Sequence, residues 1–193
     1  MTGQINVNKI AARTGTTINM ESGHKILMPG SIVQTKSFTM TSTTTTTSDG
    51  FVDTGLQLAI TPSSASSKIL ITGHICVGGS YFKTYVRLLR GSTVLSVGDA
   101  ASNRPQVYSA SHPGGADWDS YAVTSITLNL LDSPNTTSSI TYKVDFRPYQ
   151  HTATTSYVNR SASDRDNADY DERSISVMTL QEIAQWVQYL LII

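Results

Sequence analysis

From Ser31 onward the chain alternates apolar and polar residues in short runs rather than at helical spacing. In the stretch Phe51 to His74, FVDTGLQLAITPSSASSKILITGH, Leu56, Leu58 and Ile60 alternate with Gln57, Ala59 and Thr61. Such a period of two gives a strand with one apolar face. Pro62 cannot donate to a ladder and SSASS is turn material, so a second strand begins at Lys68. The same reading predicts strands over Ile32 to Met40, Leu56 to Ile60, Lys68 to Val77, Thr84 to Arg90, Thr93 to Asp99, Val123 to Leu131, Ile140 to Arg147, Thr155 to Asn159 and Ile175 to Leu180. Gly91-Ser92 is a two-residue hairpin turn with Gly first, and Asp132 to Asn135 a second turn. The run Thr41 to Asp49, TSTTTTTSD, reads as an exposed connection or a strand end. No helix of convincing length precedes Gln181. About nine short strands predict an all-β domain, a β-sandwich or jelly roll over residues 31–183.

Composition agrees and removes several functions. Ser and Thr make up about a quarter of the 193 residues, and charged residues only 15%, as in strand-rich chains. The net charge is +0, from 14 Lys and Arg against 14 Asp and Glu; nothing favours counterion release from a phosphate backbone, so no nucleic acid is expected as a partner. Cys76 is the single cysteine, which excludes an internal disulfide and a Cys-based metal cluster. No secretory signal and no membrane-inserting segment are expected.

The two ends differ from the domain between them. In residues 1–30, Ile5, Val7, Ile10, Ile18, Met20 and Ile26 lie on short strand-like pieces too small to bury their apolar faces alone. Threefold association would bury what one copy cannot, so this segment is expected to attach and trimerise. Pro29-Gly30 marks its boundary. Residues 184–193 form an apolar tail in which Trp186, Tyr189, Leu190 and Ile193 are candidate anchors to a partner protein, since a free tail of this kind would aggregate.

The blocks FVDTGLQLAITPSSASSKILITGHICVGG, YVRLLRGSTVLSVGDA, LNLLDSPNTTSSITYKVDFRP, YVNRSASD and SISVMTLQEI, in this order and spacing, resemble a C-terminal head domain of tailed-phage fibre proteins of the marine and cyanobacterial type. The resemblance covers roughly Ser31 to Ile183, and VNKIAARTGTTINMESGH resembles the stalk elements of phage fibres. It implies a compact β-sandwich, a homotrimer, displayed on the exterior of a virion beside other tail or capsid proteins. Many such fibres carry long stalks and this chain has almost none, which also admits a capsid decoration or head-fibre protein.

Three places hold chemistry. His74 and Cys76 share a strand face, and core packing is the expectation for both. In His112-Pro-Gly-Gly-Ala-Asp-Trp-Asp119, Gly and Pro force the chain out of the sheet; His112, Asp117, Trp118 and Asp119 there offer a stacking face and acceptors for a host glycan. Arg160 to Arg173, RSASDRDNADYDER, alternates acids and bases; without the spacing of a calcium loop it reads as internally paired, with Tyr170 as a further ligand candidate. Tyr157, Tyr108 and Tyr121 either join that loop or are ordinary strand aromatics. No cofactor, no metal and no catalytic pair is expected. The leading reading is a non-enzymatic fibre or adhesin. A polysaccharide depolymerase is disfavoured because its two carboxylates need a fixed separation in a groove.

Overall fold

The computed structural model describes residues 28–80, 83–111, 121–149, 154–166 and 169–185. Eleven strands lie in this part of the chain: β1 Ile32–Met40, β2 Thr44–Thr46, β3 Val52–Ile60, β4 Lys68–Gly79, β5 Thr84–Arg90, β6 Thr93–Leu95, β7 Ser109–Ser111, β8 Val123–Asp132, β9 Ile140–Pro148, β10 Ser156–Val158 and β11 Ser176–Ile183. They form two antiparallel sheets. The first runs β1-β11-β4-β10-β2, with β8 on the other edge of β4; the second runs β3-β9-β5-β6, with β7 also on β5. Setting aside β2, β7 and β10, and keeping the equally short β6 because it closes the hairpin with β5, leaves eight strands, and counted along the chain they read 1-8-3-6 in one sheet and 2-7-4-5 in the other. That order is a jelly roll.

The alternation seen in sequence decides what each face holds. Leu56 and Ile60 of β3, Ile69, Ile71, Ile75 and Val77 of β4, Ile126 and Leu128 of β8, Tyr142, Val144 and Phe146 of β9, and Met178 and Leu180 of β11 meet in one core between the sheets. Burying each large side chain contributes about 1.5–3 kcal/mol. The intervening residues face outward. On the first sheet these are Thr35, Ser37 and Thr39, then Val177, Thr179 and Gln181, then Leu70, Thr72 and His74, then Thr127, Asn129 and Leu131, in lateral register. No Lys, Arg, Asp or Glu stands among these twelve positions; Lys68, two residues before Leu70 on β4, borders them at the pole of entry. On the second sheet the outward positions of β9 are instead Lys143, Asp145 and Arg147, opposite Leu89, Arg87 and Tyr85 of β5.

Several strands differ from the sequence expectation for local reasons. The Thr run contains β2, with Thr46 buried, because it adds to the edge of β10. β3 starts four residues early, at Val52, across an irregular pairing with β9 between Asp53 and Gln57. β6 stops at Leu95, where Ser96 turns with a positive φ of 41°. His74 and Cys76 do share a face, but it is the outer one: the His74 Nε2 lies 3.1 Å from the Ile175 carbonyl, and Cys76 is buried outside the core. Burial pushes the Cys76 thiol up from its ordinary value. The attachment residues Ile5, Val7, Ile10, Ile18, Met20 and Ile26, and the anchors Trp186, Tyr189, Leu190 and Ile193, lie outside the described residues.

The two poles of the sandwich are held differently. At one pole the chain enters and leaves side by side: Gly30 N donates to Ala184 O at 2.8 Å, and Ala184 N to Ser31 O at 2.9 Å. Here the fully buried Glu182 accepts from Gln34 Nε2 at 2.7 Å, Ser63 N at 2.8 Å and Ser63 Oγ at 2.6 Å. Burial alone would raise this carboxyl, yet the bonds from Gln34 and Ser63 hold it below its ordinary value. At the opposite pole Asn159, buried and at a φ of 60°, donates from Nδ2 to Met40 O and Ser42 O, both at 2.9 Å, and accepts from Ser176 Oγ at 2.6 Å. It ties the ends of β1 and β10 to the start of β11.

Gly73, at the middle of β4, has a φ of 140°, and a Cβ there would sit 2.0 Å from the Val177 carbonyl oxygen. β11 leaves β4 just beyond this point and β10 takes over at Val77. Gly73→Ala is therefore expected to cost about 2 kcal/mol or more, seen as a lowered midpoint in urea unfolding; an unchanged midpoint would refute the close approach.

Candidate functional site

The pole where Asn159 sits gathers most of the exposed chemistry of the described residues. Measured along β3, nine residues at roughly 3.3 Å each separate it from the pole where the chain enters, a distance of about 30 Å. Here β5 begins at Thr84 and β9 ends at Pro148, which pair with each other. Ser111 pairs with Thr84, and β8 resumes at Val123 opposite Gly78. Ser111 and Tyr121, which flank residues 112–120, thus both belong to this pole. His112, Asp117, Trp118 and Asp119 themselves lie outside the described residues.

An open cleft of about 560 Å³ lies on the outer face of the second sheet at this pole. β5 contributes Tyr85 and Arg87, β9 contributes Arg147, and Tyr149 follows it. Asp49 and Phe51 come from the approach to β3, and Asn103 and Pro105 from the connection between β6 and β7. That connection is pinned over β5: Tyr108 N donates to Val86 O at 2.9 Å, Arg87 Nε to Gln106 O at 3.3 Å, and Gln106 Nε2 to Gly98 O at 2.8 Å.

Two guanidiniums and two aromatic rings interleave in the cleft. Arg87 lies 3.8 Å from the Phe51 ring centre, and Arg147 lies 5.1 Å from Phe51 and 4.8 Å from Tyr85. Each such stack contributes about 0.5–2 kcal/mol. Arg147 is only 8% exposed. Burial pushes its guanidinium down from the ordinary value; Tyr85 and Asp49 oppose this, and the like charge of Arg87 adds to it. Its Nη1 donates to Pro148 O at 3.3 Å. Among the described residues Arg90, Arg160, Arg165 and Arg173 each hold a carboxylate, whereas Arg87 and Arg147 hold none. Nearby, the Lys143 Nζ lies 3.2 Å from Asp145 Oδ1 and 3.7 Å from Asp53 Oδ2. The first contact has ion-pair distance without hydrogen-bond geometry, since Asp145 Oδ1 is buried with no hydrogen-bond partner.

The acidic and basic loop after β10 is paired internally, as its alternation suggested. Asp164 bridges Arg160 at 2.6 Å and Arg173 at 2.7 Å. Asp171 accepts from Ser163 Oγ at 2.6 Å, Ser161 Oγ at 2.8 Å, and from Arg165 through both Nε at 2.9 Å and backbone N at 3.2 Å. Tyr170 is half exposed and stands 5.9 Å from Tyr121, and Arg165 lies 4.6 Å from the Tyr121 ring centre and 5.6 Å from that of Tyr170. Tyr157 joins through Arg160, at 4.2 Å. Tyr108 does not: its hydroxyl accepts from Asn129 N at 2.9 Å and so covers the open edge of β8.

Sequence reasoning missed the cleft. Its signal was present in the outward positions of two strands that prove to be neighbours, Tyr85 and Arg87 on one and Asp145 and Arg147 on the other. What could not be read was that Asp49 and Phe51 would be laid beside them.

No protein-family model matches the chain, and no curated protein has significant sequence similarity to it. Among solved structures it is similar to that of infectious bursal disease virus, Gt strain, at 10% identity over 88% of this chain and 42% of that one, with a TM-score of 0.39. It is also similar to the VP2 subviral particle of that virus, at 10% identity over 88% of this chain and 42% of that one, with a TM-score of 0.35. The chain spans about two fifths of the length of these solved chains, and so loose a likeness carries no function.

The bonds to Asp171 set a pH dependence. Donation from Ser163, then from Ser161 and Arg165, outweighs desolvation and lowers its carboxyl from 3.8 to about 2. The ionised form is thus the bonded one, and the loop's order should be constant above pH 3.8 and be lost as pH falls from there towards 2. Amide protection at Arg165, followed by hydrogen exchange, is expected to show that step. In Asp171→Asn protection should be low throughout; a step retained in this variant would disprove the assignment.

Proposed function

We propose that this chain is a non-enzymatic structural protein of a virus particle, a trimeric fibre or adhesin that presents one pole of its jelly roll to a host surface. The observation that carries the reading is the division of labour between the poles. The chain enters at Gly30 and leaves at Ala184 as hydrogen-bonded neighbours, so the lead segment and the apolar tail both depart from one pole. The cleft and the paired loop lie at the other, and residues 112–120 are joined to it at both ends. Three of the most exposed large apolar side chains, Met28, Ile32 and Leu131, stand at the pole of entry, where burial against a second copy or another virion protein would favour association. The resemblance of residues 31–183 to phage fibre heads supports the same assignment, and the jelly roll is an architecture of viral capsid and lectin domains.

Three copies on one stalk make weak contacts sufficient. Linked sites exceed the affinity of a single site by roughly 10² to 10⁴ when they can engage together. Asp117, Trp118, Asp119 and His112, with Tyr170, are proposed to contribute contacts at the presenting pole, and residues 1–30 to trimerise and attach. The second reading is a decoration or head-fibre protein on the capsid lattice, which would use the same pole of entry with its exposed Met28, Ile32 and Leu131.

Light scattering of the purified full chain is expected to give a mass close to three times 20.9 kDa. Gold-labelled antibody on purified particles should mark fibres, whereas labelled heads would select the decoration reading. A monomer absent from particles would overturn both.

A further inference from the structure

We infer that the cleft on the outer face of the second sheet binds an acidic sugar, holding its carboxylate or sulfate group between Arg87 and Arg147. The inference rests on the reading of the chain as a host-surface attachment protein and names the ligand class of one site at its presenting pole.

Three observations lead to it. First, a buried cation is costly unless an anion accompanies it. Arg147 is 8% exposed, and among the described residues no carboxylate lies within ion-pair distance of it, Asp49 acting only from further off, unlike the arginines of the paired loop. Second, the guanidiniums are already oriented. Stacking on Phe51 and Tyr85 occupies their faces and leaves N–H edges, the part that takes an oxyanion in a two-pronged bond. Arg87 spends Nε on Gln106 O, and Arg147 spends Nη1 on Pro148 O. Both residues line a cleft of about 560 Å³, in the range of small-ligand sites, roughly 300–1,000 Å³.

Third, the rest of the lining suits hydroxyls rather than more negative charge. Asp49 can accept from sugar hydroxyls, and Asn103 can both donate and accept. Asp49 would also repel a densely charged polyanion, and a chain of net charge +0 has no excess positive charge to draw one in. A ligand with one oxyanion per sugar unit and several hydroxyls satisfies both halves of the cleft.

The experiment is calorimetric titration of the full chain with a hyaluronan hexasaccharide (carboxylate only), a carrageenan oligosaccharide of similar length (sulfate only) and neutral cellohexaose. At least one acidic probe should bind and cellohexaose should not; which acid binds identifies the group. Arg147→Met keeps the packing on Phe51 and Tyr85 but removes the charge, and should weaken binding by about tenfold or more while the melting temperature holds or rises. Arg87→Gln, at a half-buried position, should weaken binding similarly and carries the test if the first variant does not fold. Failure of both acidic probes, equal binding of cellohexaose, or unchanged affinity in the variants would each overturn the inference. Label on the particle is read independently, so a chain found on virions that ignores acidic sugars would remove this inference and leave the attachment reading standing.

Discussion

Everything this domain displays is governed by one constraint: each strand has two faces, and the jelly roll consumes one of them. Ile69, Ile71, Ile75 and Val77 on β4 and Tyr142, Val144 and Phe146 on β9 are committed to the core. Chemistry is left with the alternate positions and the turns. The two sheets use that remainder in opposite ways. The outer field of the first sheet, from Thr35 to Leu131, holds hydroxyls, amides, apolar groups and the His74 imidazole, with charge only at its border, on Lys68. That of the second carries Arg87, Lys143, Asp145 and Arg147, three of which lie on β9 between Tyr142 and Pro148. A surface without charge approaches another surface with little penalty from unlike partners, while a charged one discriminates among them.

Much of the fold could be read from the sequence because its period was strict. β1, β5, β8 and β9 fall within a residue or so of the expected runs, and Gly91 takes the positive φ, 57°, that a Gly-first hairpin turn needs. Where reading failed, a long-range partner had decided the matter. Thr44–Thr46 became a strand because Ser156–Val158 offered an edge. Cys76 is buried outside the core, beside Ser174 and Ser125. The internal pairing of the loop after β10 was visible because its partners are close in sequence, as with Arg160 and Asp164. The cleft was hidden because its parts come from positions 49 to 149, and nothing local announces that Phe51 will lie under Arg87.

The buried polar groups show what holds such a fold to one register. Glu182 and Asn159 lie at opposite poles, and each gathers chain segments far apart in sequence through bonds that leave little unsatisfied. A slip of one residue in β11 would turn Glu182 outward and bring Ile183 and Gln181 towards the core. Neither residue adds much net stability compared with an apolar filling. Their worth lies in making every other pairing wrong.

The meeting of Gly30 with Ala184 has a consequence of another kind. A unit whose first and last strands part company within one hydrogen bond of each other can be set into a surface loop of a host chain without stretching that loop. It can equally be cut out and passed on whole. Genes assembled by recombination favour pieces with this property, since the recipient's fold need not be rebuilt around the newcomer. In that sense the pair of bonds at 2.8 and 2.9 Å makes the domain a transferable cassette, its outer surfaces free to change while the seam stays the same.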